Sequence, residues 1–516
     1  MMTTGRFGNS GAGSVLGGWR IRYGVGSKEY GGSVRRVALL VGVAMLQQVG
    51  LAQGPDRSHP PVAGPPPQLR LAPIQHYKLS NGLPVVLLEK HEVPLVQINL
   101  VLRAGAVDDP RDKAGRASMT ADMLTEGAGS RNSLELADAI DFLGAQLDAT
   151  AGYHTFGVDL FTPIAKLDSA LAVMADVVLR PTFPQAELDR QVKDRLTTLL
   201  QWRDEARRLN SVMFSRTLYG DTHPYGIPMI GDERTIRGLG IDDLRAFHQE
   251  FFHPNIATLI VVGDVKAATA LPKLEKAFGA WKPGTVSPPR LPEIHQVAER
   301  RLIIIDKPGA AQSEISVGRI GVPRATEDFY ALLVMNSILG GSFTSRLNNN
   351  LREQHGYTYG AYSRFEFRVL PGPFIASSAV QTAVTDKALG EFMKELNGIL
   401  EPIPEAEIER AKNYVALGFP GDFQTVRQIA GQLGMMVAFN LPDTFFNGFI
   451  GKILAVTRQD VERVAKKYID PTKIDIVITG DRNQIEPGIR ALTLGPITDL
   501  KVEDVLGRAP DMQQKN

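Results

Sequence analysis

Apolar residues near the start of the ordered pattern come in short, dense, β-branched blocks. LPVVLLEK (83–90) and LVQINLVLRAGAV (95–107) predict two strands. The period changes at GRASMTADMLTEGAG (115–129), which predicts a helix following a glycine and running to about residue 126. Asn132 with Glu135 predicts a capping box, and Leu136, Ile140 and Leu143 give the next helix its apolar face. QLDATAGYHTFGVDLFTP (146–163) predicts a hairpin and LDSALAVMADVVLR (167–180) a helix. Residues 188–219 predict one long helix or a helical pair. Past the midpoint the order recurs, with strands expected at 301–306 and 313–319, helices at 326–339 and 344–354, and a strand in YTYGAYSRFEF. Helices grouped against a mostly antiparallel sheet define an α+β class.

Two passages show that the recurrence is a repeat. HPNIATLIVVGDVK (253–266) shares its design with DPTKIDIVITGDRN (470–483), and PQAELDR (184–190) with PEAEIER (404–410), at offsets of 217 and 220 residues. Two matches in order at nearly one offset predict two homologous domains. Prolines in WKPGTVSPPRLPEI mark the connection between them. The expected organisation is a signal region at 1–53, a proline-rich spacer at 54–73, an N-terminal domain at 74–282, a linker at 283–295, a C-terminal domain at 296–507 and a polar tail at 508–516.

Composition changes this picture mainly by exclusion. The 516 residues are 43% apolar and 22% charged, a soluble globular profile, and contain no cysteine, so disulfides, thiolate chemistry and cysteine-ligated zinc are all excluded. Arg35 and Arg36 precede VALLVGVAMLQQVGLAQG, an apolar run too short to span a bilayer that ends near Gly50 and Ala52. It predicts a signal peptide cut near Ala52 or Gln53, with an uncleaved membrane anchor as the alternative. Residues 1–36 hold six basic and one acidic side chain while the whole chain is +1, so the remainder sums to −4 and no nucleic-acid footprint survives.

Candidate chemistry is sparse. None of the nine histidines forms an i, i+4 pair, and HxxEH, GxSxG, GxGxxG and the P-loop pattern are all absent. Ser118 and Asp122 stand one turn apart on the helix after Gly115, a spacing at which two histidines would supply half a zinc site. Gly340-Gly341 before SFTSR reads as a turn. In SRLNNNLREQHGYTYGAYSRFEF (345–367) a helix is expected to stop at Gly356 in a left-handed conformation, with Arg352 in its last turns. On the following strand Tyr357 and Tyr359 are expected on one side and Tyr362 on the other. A guanidinium and a phenol so placed could converge on one carbonyl or oxyanion; a packed aromatic strand with a solvated arginine is the plainer reading.

The chain resembles the insulinase and mitochondrial processing peptidase family, the inverted-zincin M16 peptidases. The resemblance rests on LSNGLPVVLLEKHEVPLVQINLVLRAGAVDDP, HPYGIPMIGDERTI, DDLRAFHQEFFHPNIATLIVVGDV and GGSFTSRLNNNLREQHGYTYGAYS, and it spans nearly all of 74–500. It implies two LuxS/M16-like α+β domains, and a chamber for unfolded peptides that is enclosed by two such two-domain units. Cleaving members bind zinc through HxxEH and a later glutamate. The matching positions here are Ser118, Ala121 and Asp122, with the glutamate falling near Thr197 or Thr198, so no zinc is expected in this chain. Arg352 and Tyr359, seven apart, match the family's substrate-holding arginine and tyrosine. The resemblance therefore implies a non-catalytic subunit of a bacterial two-chain peptidase in the periplasm or outside the cell. Its partner would be an HxxEH-bearing, zinc-containing subunit, and its substrate an extended peptide bound along a sheet edge. Two alternatives are an assembly subunit with no part in catalysis and a self-sufficient metallopeptidase with Asp122, His154 and His223 as unconventional ligands.

Overall fold

Val85, Val86, Leu87 and Leu88 are all buried, so the strand they form has no solvent side and both faces of its sheet are covered. In the computed structural model, which describes Gly64 and residues 68–513, that strand belongs to the first of two six-stranded sheets. The first contains β1 (Gln75–Lys78), β2 (Pro84–Glu89), β3 (Leu95–Leu102), β4 (Gln146–Ala151), β5 (Phe156–Pro163) and β6 (Ala257–Gly263). Their spatial order is β1-β2-β6-β3-β5-β4. The second contains β7 (Arg301–Asp306), β8 (Gln312–Ile320), β9 (Thr358–Phe365), β10 (Pro373–Gln381), β11 (Asp475–Gly480) and β12 (Ile497–Leu500), in the order β12-β7-β11-β8-β10-β9. Five strands thus occupy equivalent places in both sheets, and the β2·β6 pair is parallel like its counterpart β7·β11. The sheets differ at one edge, where β1 runs antiparallel to β2 but β12 parallel to β7. The repeat read from the sequence is a repeat of topology, in an α+β architecture.

Helices α1 (Arg116–Leu124), α2 (Ser133–Phe142), α3 (Leu167–Leu179), α4 (Gln185–Trp202), α5 (Ala206–Tyr219), α6 (Glu233–Gly238), α7 (Ile241–Phe251) and α8 (Ala267–Phe278) belong to the first half. The second has α9 (Phe329–Leu339), α10 (Arg346–Asn348, continuing as a π turn over Asn349–Gln354), α11 (Thr385–Gly398), α12 (Glu405–Gly418), α13 (Val426–Ala438), α14 (Thr444–Leu454) and α15 (Arg458–Tyr468). The capping box at Asn132 forms as expected. The long helical stretch is a pair, α4 and α5. The helix expected from residue 326 begins at Phe329, behind a buried Asp328 that binds Arg463, Lys467 and Tyr468. Residues 281–297 carry no helix or strand. The expected signal region and most of the proline-rich spacer lie outside the described residues, among which no helix is long and apolar enough to cross a membrane.

The two halves exchange a helix. Val86, Leu88, Ile260 and Val262, on one face of the first sheet, pack in one cluster with Ile429, Ala430 and Leu433 of α13, a helix of the second half. Reciprocally, Ile303, Ile305 and Val477 of the second sheet pack with Leu209, Val212 and Leu218 of α5. α5 and α13 are equivalent under the repeat, so each sheet's second face is closed by its neighbour's helix. This is why β2, β6 and β11 are buried at nearly every position instead of alternating. Asn210 ties the exchange together: it is 2% exposed, and its side-chain amide donates to the carbonyls of Glu314 (3.0 Å) and Val477 (2.8 Å) on the opposing sheet. Asn210→Ala strands two acceptors in a dry interface, and urea unfolding is expected to show a loss of about 2 kcal/mol.

Candidate functional site

Helix α1 starts where Gly115 adopts φ +98°, a left-handed conformation that a side chain disfavours. A Cβ there would also lie 2.7 Å from the Ile230 carbonyl, so the glycine is what lets the 229–231 loop close over the helix. Ser118 uses that proximity, its hydroxyl donating to the carbonyl of Met229 (2.6 Å). Ala121 is buried. Asp122 accepts from the guanidinium of Arg195 (2.7 Å), whose other terminal nitrogen donates to the carbonyls of Gly115 and Ile230 (3.2 Å each). Arg195 is 5% exposed and lies on α4.

The sequence expectation placed Thr197 and Thr198 opposite Ser118 and Asp122. Their hydroxyls instead bond back to the Lys193 and Asp194 carbonyls of their own helix, and it is Arg195, two to three residues earlier, that reaches α1. The residues do not fit zinc. Ser118 points its proton at a carbonyl, Ala121 has no base, and Asp122 is held by a permanent cation. Among the described residues no group of three or more His, Cys, Asp or Glu is placed to hold a metal ion. The unconventional set fares no better. His154 shares a hydrogen bond with the Tyr225 hydroxyl (2.6 Å) and His223 accepts from the Tyr225 amide (3.0 Å), while Asp122 is bound to Arg195 elsewhere.

Below α1, Asp109 anchors the helix by accepting from the amides of Gly115 and Ala117, beside the buried Arg116. Burial nevertheless pushes its carboxyl up to about 7, against the opposing pull of Arg116. In the unfolded chain the group titrates near ~3.9, so between roughly pH 4 and 7 the folded state holds more protons than the unfolded one. Stability from this group is therefore present at the acid end and lost as pH rises through about 7. Burial also raises Asp108 and Asp159 to about 6, which acts in the same direction. Urea unfolding of Asp109→Asn between pH 5 and 8 is expected to show a shallower decline with pH than the wild type, though not a flat line.

Arg352 and Tyr359 occupy the other candidate region. Asn348 and Asn349 bond to the carbonyls of Phe343 and Thr344, and Asn350 to Glu391 and Glu395. The helix these residues anchor widens into the π turn that carries Arg352, and it stops at Gly356 with φ +65°, as expected. The Arg352 guanidinium lies 4.5 Å from the centroid of the exposed Phe343 ring, with Glu353 as its nearest carboxylate at 3.5 Å. Tyr359 is 90% exposed. The two side chains share no hydrogen bond among the described residues, and both reach toward solvent.

The expectation that Tyr359 and Tyr362 face opposite ways is wrong. Between Thr358 and Ala361 strand β9 advances three residues while β10 advances two, a bulge that adds one residue and returns both rings to one side. Thr358 and Ser378 hydroxyls pin the bulge, and Gly360 leaves room for the Tyr362 ring, which a Cβ would meet at 2.4 Å. Tyr359, Tyr362 and Arg364 line a groove of about 680 Å³ whose far wall is the first turn of α5. Gly340 and Gly341 form a turn, as expected: the Gly340 carbonyl accepts from the Ser363 amide, and a Cβ at 340 would sit 2.3 Å from that nitrogen.

The free edges of the two sheets differ. On β9 the outward amides of Ala361 and Ser363 are already bonded to Asn348 and Gly340. On β4 no outward backbone group from 146 to 151 has a partner among the described residues.

Comparison with known proteins places this arrangement. Residues 84–226 match the model for insulinase (peptidase family M16), and residues 238–415 match that for the peptidase M16 inactive domain. A Pseudomonas fluorescens crystal structure described as a peptidase M16 inactive domain superposes with a TM-score of 0.72 at 28% identity, covering 79% of this chain and 98% of that one. A Helicobacter pylori protein described as a non-peptidase homologue is 21% identical over 81% of this chain and 96% of its own length. A Bacillus subtilis protein described as an uncharacterized zinc protease is 26% identical over 56% of this chain and 69% of its own.

Proposed function

Because this chain is an M16-family homologue with the insulinase-like fold and a first domain whose residues do not make a zinc site, we propose that it is the non-catalytic, substrate-binding subunit of a two-chain M16 peptidase. In this reading zinc would be held by the HxxEH residues of a partner subunit and would supply there the Lewis acidity that water activation and carbonyl polarisation need. Arg352 and Tyr359 reach across to that centre and donate hydrogen bonds where negative charge develops on the carbonyl oxygen. The substrate is an unfolded or extended peptide. Within this chain, β4 offers it backbone pairing, whereas β9 does not, so the arginine and tyrosine act through their side chains alone.

One observation carries the reading: the loss is one-sided. The α1 position is closed by a buried arginine, while Tyr359 stands 90% exposed and Arg352, among the described residues, has only the neighbouring Glu353 within ion-pair distance. A chain that had become mere scaffold would have no use for a partly exposed arginine and a solvated phenol at the family's substrate-holding spacing. The expected home of the complex is the periplasm or the extracellular side.

The test is co-expression with an HxxEH-bearing M16 subunit, then peptide cleavage assayed for each chain alone and for the mixture. Activity is expected only in the mixture. A partner that cleaves equally well alone would transfer the chain to a purely structural role. Stoichiometric zinc with cleavage by this chain alone would end the proposal.

A further inference from the structure

Two arginines in the seam between the halves have no ion-pair partner among the described residues. Arg324, in the segment leading into α9, is half-buried with its guanidinium 3.6 Å from the Phe329 ring centroid and 5.0 Å from that of Phe445. Among the described residues its side chain makes no hydrogen bond and no ion pair, and burial lowers its pKa with no carboxylate opposing the shift. Arg103, just beyond β3, is exposed, and its side chain likewise has no such partner among the described residues.

Both line a pocket of about 350 Å³ with Asp108, His154, Phe439 and Asn440 among its other walls. The first half contributes Arg103, Asp108 and His154, the second Arg324 and the end of α13. Asp108 is the only carboxylate in the lining; its oxygen is engaged by the Gly105 amide (2.8 Å) and it feels Arg116 from the other side. His154 contributes no charge at neutral pH, since burial pushes it down to about 4 and its Nε2 is bonded to Tyr225. The pocket is therefore net positive, and its half-buried cation is held in a fixed plane.

That plane matters. With its Cζ 3.6 Å from the Phe329 centroid the guanidinium packs its face on the ring, and a guanidinium packed in this way keeps its N–H edge for hydrogen bonding, the edge that grips two oxygens of one oxyanion at once. Seams between domains are where small-molecule sites commonly form, and the volume lies at the lower end of the usual ~300–1,000 Å³.

We propose that this pocket is a binding site for a small anionic molecule, held through its carboxylate or phosphate oxygens by Arg324 and Arg103. The site is separate from Arg352 and Tyr359 and does not depend on the role given to them. By joining the two halves, its ligand would stabilise their relative arrangement.

The full chain would be titrated with inorganic phosphate and with citrate, at ionic strength matched with sodium chloride, by calorimetry and by thermal unfolding. Saturable one-to-one binding with a rise in Tm is expected from at least one of them; phosphate alone would point to a phosphoester ligand, citrate alone to a carboxylate. Arg103→Glu is expected to weaken binding at least tenfold without altering the Tm of the ligand-free protein, because the exposed Arg103 side chain has no hydrogen bond or ion pair to lose among the described residues. Arg324→Gln should abolish binding, and if that variant unfolds, Arg103→Glu still decides the matter. No saturable binding of either anion, or binding unchanged by Arg103→Glu, would overturn the assignment.

Discussion

Arg352→Ala, or Tyr359→Phe, is expected to lower peptide cleavage by the complex of this chain with an HxxEH-bearing M16 subunit at least tenfold, while the complex itself assembles unchanged. The size follows from the job proposed for them. A donor aimed at a developing oxyanion in a site from which water is excluded contributes about 2.7–4 kcal/mol when removed singly. Tenfold corresponds to only about 1.4 kcal/mol and is the lower bound for a partly wet site. Assembly should survive because Tyr359 is 90% exposed and Arg352, packed on the exposed Phe343 ring, has the neighbouring Glu353 as its one ion-pair partner among the described residues. The kinetic signature separates this role from simple anchoring: a transition-state donor lowers kcat, whereas a residue that merely holds the peptide raises KM and leaves kcat alone. Steady-state assays of the mixed complex with both variants settle it, and unchanged kcat in both would remove the assigned role.

Much of this architecture was open to reading from residue pattern. The Gly-Asp strand ends at 263–264 and 480–481 and the paired PxAExxR motifs fixed the repeat, because equivalent strands need equivalent turns. The exchange of α5 and α13 was not readable. An apolar face shows that a helix packs, and nothing in its spacing says which sheet it packs on. The β9 bulge escaped for a similar reason: Thr358 and Gly360 are ordinary strand-and-turn residues, and only their pairing with Ser378 shows the extra residue. Arg195 left a signal that could have been used. Leu188, Val192, Leu196 and Leu199 mark the buried stripe of α4, and Arg195 lies within it. A charged residue on an apolar stripe needs buried acceptors, which is a stronger indication than the residue count that pointed to Thr197 and Thr198.

The bond between Arg195 and Asp122 is expected to give the largest stability effect in the molecule. Arg195 is 5% exposed and has three acceptors: two backbone carbonyls and the Asp122 carboxylate. Asp122→Ala leaves a guanidinium with no counter-charge in a dry setting, a change that costs about 3–5 kcal/mol when the pair is fully buried. The Asp122 side chain is 44% exposed, and water entering from that side should bring the loss to the lower end, about 3 kcal/mol. Arg195→Met removes the charge and keeps most of the volume, but strands two carbonyls, for a loss of about 2 kcal/mol. The double variant has no buried charge left to solvate, so it should be scarcely less stable than Arg195→Met alone, with a coupling of about 2–3 kcal/mol in the urea-unfolding cycle. Additive losses would mean that the carbonyls alone hold Arg195. In that case Asp122 would not be the counter-charge that closes the metal position, and a positive guanidinium could no longer be the reason that α1 stays closed to a second cation.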